Sequence, residues 1–82
     1  MITSEMIEQY IAEGLNCTHV EVTSHDGVHF QAVVVSPEFE GISMLKQHRL
    51  VYRTINEHIE SATIHALGLK TYTPDAWSEH GQ

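Results

Sequence analysis

The chain has 82 residues, of which 41% are hydrophobic and 18% are charged, which is typical of one small globular domain. Eleven Asp and Glu residues oppose four Lys and Arg residues, giving a formal charge of −7 with histidines neutral. This balance disfavours tight nucleic-acid binding, because such affinity comes mainly from Lys and Arg contacts to phosphates.

Cys17 is the only cysteine, so an intrachain disulfide and a cysteine-based zinc site are excluded. No apolar run approaches the roughly 18 residues of a membrane span, and the first residues lack a signal-peptide pattern, so we expect a cytoplasmic protein.

The first helix is predicted over residues 4–15, because apolar residues recur there at helical spacing with acidic residues on the opposite face. Thr3 or Ser4 is suited to cap its start, and Gly14 with Asn16 is suited to end it. The acidic positions are interpreted as a solvated face.

A β-hairpin is predicted to follow, because the hydrophobic period changes to two from Thr18 onward. Asp26-Gly27 is a strong signal for a tight turn between strands. The return strand is predicted over residues 28–36, with Phe30 and its alternate neighbours on one face.

A connector is predicted over residues 37–43, and a long helical stretch follows it. Ser43 is suited to cap the start of this stretch, which can be one helix or can break into a short helix and a longer one. A third strand is predicted over residues 64–72. Thr73 then matches the cap of a short final helix, and residues 78–82 form a polar tail.

These elements predict an α+β fold in the order α-β-β-α(α)-β, with a three-stranded sheet and helices on one face. Residues 1–77 form a single domain in this interpretation. The other face of the sheet is expected to be largely open and therefore available for docking.

No pattern in the chain favours an enzyme. It has no phosphate-binding glycine loop, no nucleophile elbow and no Cys-x-x-Cys motif, and its carboxylates are spread along solvated faces. We therefore expect a protein that acts without catalysis.

Seven histidines are the unusual feature of the composition, and protonating all of them would move the formal charge from −7 to about zero between about pH 7 and 5. His25 and His29 flank the predicted turn, and His65 is predicted to open the third strand. If the sheet brings the turn near that strand, His65 and one of the other two form a two-histidine patch. On the residues alone, a structural role for His65 is the more frequent outcome. The remaining four are interpreted as solvated or boundary residues: His19, His48, His58 and His80.

Several sequence blocks, in order and at matching spacing, resemble the BolA family and in particular its IbaG/YrbA branch. They run from Phe39-Glu40-Gly41-Ile42-Ser43 through His48-Arg49-Leu50-Val51-Tyr52 and Ile64-His65-Ala66-Leu67 to Thr73-Pro74-Asp75-Ala76-Trp77. The short chain and the Asp-Gly-Val-His-Phe hairpin carry the branch resemblance. The resemblance to the BolA family covers the chain from the first helix to Trp77. It implies an α-β-β-α-α-β fold like that of class II KH domains.

The resemblance also implies a partner, a monothiol glutaredoxin with a Cys-Gly-Phe-Ser motif, and a [2Fe-2S] cluster bridging the two proteins. The glutaredoxin cysteine and a glutathione thiol bind one side of the cluster. The BolA side is expected to supply the third-strand histidine, matched by His65, and a hairpin-loop ligand, for which His25 is the first choice and His29 the alternative. Because such a cluster takes four ligands, the isolated chain should carry no cluster. Alone, the chain is expected to be a monomer or a weak homodimer. The implied roles are iron–sulfur homeostasis and acid stress.

A second function implied by the KH-like fold is nucleic-acid binding in transcription. Lys46, Arg49 and Arg53 on the long helix and Lys70 on the third strand are the candidate contacts to nucleic acid or to a partner. The charge of −7 weighs against this alternative, and the residues before the long helix lack the Gly-x-x-Gly loop that clamps a nucleic-acid backbone.

Overall fold

A computed structural model describes residues 2–80 of the chain. Its elements in chain order are α1 (Ser4–Gly14), β1 (His19–Thr23), β2 (Phe30–Val35), a 3₁₀ turn (Pro37–Phe39), α2 (Met44–Ile55), α3 (Ser61–His65), β3 (Leu67–Tyr72) and α4 (Pro74–His80). The predicted α+β fold and its order of elements are confirmed. The long helical stretch does divide in two, as α2 and α3. In α4 the helix extends through residues 78–80, which the sequence analysis assigned to the tail, whereas residues 81 and 82 lie outside the described part.

The three strands form one sheet in the order β1-β2-β3, so β2 is central. β1 and β2 pair antiparallel, with Thr23 opposite Gln31. β2 and β3 pair parallel, with Phe30 opposite Leu67. A parallel pair needs a long crossover connection, and the segment carrying α2 and α3 supplies it.

The hydrophobic core lies between one face of the sheet and the helices α1 and α2. Side chains alternate along a strand, so every second strand residue points into this layer. Its fully or almost fully buried members come from α1, the sheet, the 3₁₀ turn and α2: Ile7, Ile11, Phe30, Ala32, Val34, Phe39, Val51 and Ile55. Burying an aliphatic side chain of this size stabilises the fold by about 1.5–3 kcal/mol, so this layer provides most of the stability.

Three helix starts carry the side-chain caps expected from the sequence. Thr3, rather than Ser4, caps α1, since its Oγ1 accepts a hydrogen bond from the backbone N–H of Met6 at 3.2 Å. Ser43 caps α2 and Thr73 caps α4 in the same way. Each such cap satisfies a backbone donor that has no partner within its own helix.

A buried serine joins the start of β1 to the end of β2. The Ser36 hydroxyl is fully buried, donates to the carbonyl oxygen of Asn16 at 2.6 Å and accepts from the backbone N–H of Glu38 at 3.0 Å. The Glu38 carboxylate in turn accepts from the backbone N–H of Asn16 at 2.9 Å. These bonds fix the 3₁₀ turn and the position of the Glu38 carboxylate.

The short helix α4 packs on the face of the sheet opposite to α1 and α2. His19, Val35 and Tyr72 form one row across that face. Trp77 stacks on His19 with ring centroids 5.1 Å apart and contacts Tyr72 at 5.2 Å. Val35 is fully buried although it points away from the main core. The face of the sheet that was predicted to be open is therefore covered by α4 at the end of the sheet that contains Val35.

At the other end of the sheet, two strand boundaries differ from the prediction. β2 begins at Phe30 and β3 begins at Leu67, so His29 and His65 both lie just outside the sheet. In place of a two-residue tight turn, residues 24–29 form a longer loop between β1 and β2. His65 ends helix α3 instead of opening a strand, because the backbone N–H groups of Thr63 and Ile64 both bond to the carbonyl of Glu60 and continue a helical turn.

Candidate metal-ligand site at one end of the sheet

The loop over residues 24–29 is shaped by one carboxylate and one hydroxyl. Oδ1 of Asp26 accepts hydrogen bonds from the backbone N–H groups of Val28 and His29, each at 2.8 Å. The Ser24 hydroxyl donates to the carbonyl of His29 at 2.6 Å and accepts from the N–H of Gly27 at 2.9 Å. Gly27 has a φ of 74°, a left-handed conformation that favours glycine. Hydrogen bonds of the Ser24 and Asp26 side chains thus hold this exposed loop in one shape.

His29 is held by the same carboxylate. Its Nδ1 lies 2.8 Å from Oδ2 of Asp26, while its side chain is 75% exposed. Hydrogen bonds from the His29 ring, and then from the backbone N–H groups of His29 and Val28, hold the pKa of Asp26 well below its usual range. Metal-ligating histidines commonly engage a carboxylate through the ring nitrogen that does not bind the metal. The arrangement leaves Nε2 of His29 directed away from Asp26 and available.

His25 is exposed as the second residue of the same loop. It lines a concavity of about 190 Å³ together with Thr23, Ser24, Asp26, His29 and Gln31. Within residues 2–80 neither ring nitrogen of His25 has a hydrogen-bond partner in the protein, so both are available. The loop therefore offers two imidazoles, one fixed by Asp26 and one unconstrained.

His65 is the exposed last residue of α3, at the same end of the sheet as this loop. The residue after it, Ala66, accepts a hydrogen bond through its carbonyl from the backbone N–H of Phe30 at 2.9 Å, and Phe30 is the residue after His29. Gly27 and Val28 of the loop also line a cavity of about 210 Å³ with residues of α3 and Ala66. The fold thus brings the hairpin loop against the segment that ends α3 at Ala66, and the two-histidine patch itself stays a prediction.

This chain does not hold a complete metal site in its described part. Across residues 2–80, no group of three or more His, Cys, Asp or Glu side chains is arranged to bind a metal ion. Two imidazoles without a thiolate supply fewer than the four ligands that an iron–sulfur cluster takes. The described residues therefore do not meet the ligand requirement of such a cluster by themselves.

The role of Asp26 in holding His29 was not predicted from the sequence, where Asp26-Gly27 indicates only a tight turn. The available signal was the spacing Asp26-Gly27-Val28-His29, because an Asp side chain bonds readily to backbone groups two and three residues onward. Once those bonds form, the imidazole three residues later comes within reach of the second carboxylate oxygen.

The four predicted basic contacts do not form one surface. Lys46, Arg49 and Arg53 line a groove of about 390 Å³ along α2. Lys70 lies on β3 opposite Val33, on the face of the sheet that α1 and α2 do not cover. A contact surface that includes all four is therefore not supported by their placement.

Cys17 belongs to neither group of residues. It is half-buried just before β1, and burial, with a smaller contribution from the Glu38 carboxylate, raises the pKa of its thiol. A protonated thiol is a poor nucleophile and a poor metal ligand. This environment favours a packing role for Cys17 over a reactive one.

The fold and the exposed histidines at one end of its sheet define a small α+β protein of the BolA type. A family model described as BolA-like protein matches residues 11–76, so the chain belongs to the BolA family. It is 38% identical over 72 residues to the acid stress protein IbaG of Escherichia coli, a match that covers 88% of this chain and 84% of that protein.

Solved structures of similar proteins support the same assignment. A BolA protein homologue from Coxiella burnetii is 46% identical with a TM-score of 0.72, and the match covers 100% of both chains. A Bol-like protein from Babesia bovis is 30% identical with a TM-score of 0.82, covering 100% of this chain and 96% of that one. Within residues 2–80, no helix has the length and apolar character needed to cross a membrane.

Proposed function

We propose that this protein is a cytoplasmic, non-catalytic adaptor that binds a monothiol glutaredoxin and supplies histidine ligands to a bridging [2Fe-2S] cluster. The observation that carries the proposal is the junction between the hairpin loop and α3, where the Phe30–Ala66 hydrogen bond joins the segments bearing His29 and His65. Both segments present exposed imidazoles at one end of the sheet. The partner's cysteine and glutathione would supply the thiolates that this chain lacks.

Within this proposal, His65 and His25 are the ligands, and His29 is the alternative in the loop. Both ring nitrogens of His25 are unengaged within the described residues, whereas Nδ1 of His29 is bound to Asp26. Asp26 and His29 together hold the loop in shape, and that shape carries His25. If His29 is the ligand instead, Asp26 fixes its orientation through Nδ1 and leaves Nε2 for iron.

Histidine ligation would make the site suitable for releasing or sensing a cluster. Imidazole on one iron raises the reduction potential relative to ligation by thiolates alone, and its bond to iron competes with protonation. An acid-dependent function is consistent with the name of the similar Escherichia coli acid stress protein. The proposed role is therefore in iron–sulfur homeostasis with a response to acid.

The proposal is tested by anaerobic reconstitution of the purified protein with a monothiol glutaredoxin, glutathione, iron and sulfide. We expect a heterodimer whose visible absorption and circular dichroism differ from those of the glutaredoxin alone. His65→Ala and His25→Ala should each alter that spectrum, and His29→Ala should alter it less than His25→Ala if His29 only shapes the loop that carries His25. Loss of signal with His29→Ala and retention with His25→Ala would assign the ligand to His29.

The matched control is His80→Ala, because His80 lies in α4, which packs at the opposite end of the sheet. Phe30 and Val35 mark the two ends of β2 and are about 16 Å apart at the rise of a β-strand. This variant should leave the heterodimer and its spectrum unchanged. Absence of a heterodimer, or a spectrum identical to that of the glutaredoxin alone, would contradict the proposal.

Nucleic-acid binding is the second function implied by the KH-like fold, and it has weaker support. Only three of the four candidate basic residues share a groove, and the chain as a whole carries a charge of −7. A mobility-shift titration at physiological salt tests it directly. Sequence-dependent retardation at submicromolar protein would favour this function over the adaptor.

A further inference from the structure

The outer face of α2 concentrates most of the positive charge of an acidic protein. Lys46, Arg49 and Arg53 are all exposed and follow one another at spacings of three and four residues, which places them on one side of the helix. From the first to the last they span about 10 Å at the rise of an α-helix. The sequence of α2 contains no Asp or Glu, although the chain has 11 acidic residues in total.

These cations have no ion-pair partner among the described residues. In that part of the protein, the close contacts between basic and acidic side chains both involve histidines, His19 with Glu21 and His29 with Asp26. Arg49 and Arg53 are one helical turn apart, and like charges at this spacing destabilise a helix by about 0.2–0.5 kcal/mol. Their positive field is directed to solvent.

The surface between these side chains is a groove with an apolar floor. Ile42 and Leu50 are half-buried and line, with the three basic residues, a concavity of about 390 Å³. At one end stands Glu38, whose carboxylate is fixed by the hydrogen bond from the backbone of Asn16. Leu45, which is 61% exposed, lies one turn before Arg49 and adds exposed apolar surface beside that residue, outside the groove.

We propose that this groove binds a short acidic segment of another protein, with a bulky apolar side chain seated between its carboxylates. The cations match the acidic residues, and the floor of Ile42 and Leu50 matches the apolar side chain. A nucleic acid is a poorer fit, because its continuous chain of phosphates would pass the fixed Glu38 carboxylate and the acidic remainder of the surface. The groove shares no residue with the histidine site, so this proposal goes beyond the adaptor function and does not depend on it.

The test is fluorescence anisotropy of the full chain with a labelled peptide in which glutamates flank a leucine. We expect saturable binding that weakens with added salt, because exposed charges are screened. Arg49→Glu and Arg53→Glu should each weaken binding about tenfold, since each replaces an attraction by a repulsion. Both residues are exposed on a helix, so the variants should fold, which far-ultraviolet circular dichroism checks.

Lys70→Glu is the matched control, because it makes a like charge change on the other face of the sheet. It should change the dissociation constant by less than about twofold, since the sheet and the helix layer separate it from the groove and salt screens charges beyond about 8 Å. A peptide with alanine in place of leucine should bind more weakly, and one with glutamine in place of glutamate should not bind.

Three outcomes would overturn the proposal. Equal weakening by Lys70→Glu and Arg49→Glu would mean that binding depends on total charge and not on the groove. Equal binding of the leucine and alanine peptides would mean that the apolar floor has no role. Tighter binding of a single-stranded oligonucleotide of the same charge, sensitive to Arg49→Glu, would assign the groove to nucleic acid.

Discussion

The two ends of the sheet both carry histidines but use them in opposite ways. At the end covered by α4, His19 and His80 are stacked against Trp77, with ring centroids 5.1 and 5.5 Å from those of Trp77. At the other end, His25 and His65 are exposed. Stacked imidazoles contribute to packing even where they are exposed, as His80 is, whereas exposed ones without internal partners remain available to bind. The contacts of each ring, more than the number of histidines, therefore distinguish a packing role from a ligand role.

The same contrast extends to what stabilises each end. The α4 end buries Val35 completely and carries a cluster of aromatic rings. The loop end depends on hydrogen bonds of Asp26 and Ser24 that lie in contact with water. Solvent-exposed hydrogen bonds contribute less to stability than buried apolar area does. We therefore expect substitutions at the α4 end to affect the free energy of unfolding, and those at the loop end to affect binding.

The largest effect on stability is expected from Trp77→Ala. The substitution removes the ring that stacks on His19 and contacts Tyr72, the residues on either side of Val35, at a cost of about 2–3 kcal/mol in the free energy of unfolding. Urea denaturation followed by circular dichroism measures it. Trp77→Phe keeps an aromatic ring beside His19 and Tyr72 and should recover most of the loss. An unchanged denaturation midpoint for Trp77→Ala would mean that α4 does not stabilise the sheet.

The contrast between the ends could be predicted only in part from the sequence. The order of elements follows from hydrophobic periodicity, the helix caps from Thr3, Ser43 and Thr73, and the short final helix from its cap. The side of the sheet on which α4 packs could not be predicted, because Trp77 is compatible with either face until the register of Tyr72 is known. That register is a long-range property of the β2–β3 pairing.

The boundary at His65 shows a second limit of sequence reasoning. Ile64, Ala66 and Leu67 form a short apolar run, and periodicity over so few residues does not distinguish the end of a helix from the start of a strand. The structure resolves this through the Glu60 carbonyl, which accepts two backbone hydrogen bonds and holds the helical turn that ends at His65. The consequence is an exposed imidazole where a strand position would have been more ordered.

A smaller effect, dependent on pH, is expected for Asp26→Asn at the loop end. The pKa of Asp26 is lowered in the folded state, so its ionised form contributes stability that is present above its unfolded pKa of about 3.9 and is lost as the pH falls through the folded value. The difference in stability between wild type and Asp26→Asn should therefore be larger near neutral pH than near pH 3. Urea denaturation at both pH values measures it.

His29→Ala tests the cause of that pH dependence. The hydrogen bond from the His29 ring is the largest contribution to the lowered pKa of Asp26. Without the ring, the pH-dependent part of the stability lost on Asp26→Asn substitution should shrink. Introducing Asp26→Asn into the His29→Ala protein and repeating the denaturation at both pH values measures the change. A pH dependence of undiminished size would show that the backbone hydrogen bonds of the loop are sufficient.

The smallest effect on stability is expected for His65→Ala and His25→Ala, at no more than about 0.5 kcal/mol, because substitutions of exposed side chains away from packed features rarely exceed that value. Equal denaturation midpoints combined with an altered cluster spectrum would separate ligation from folding at this end of the sheet. A loss of stability comparable to that of Trp77→Ala would instead show that His65 packs against the loop, and the contrast between the two ends would then disappear. If the imidazoles do bind iron, acidification from about pH 7 to 5 should bleach the heterodimer spectrum before either protein unfolds, since protonation competes with ligation.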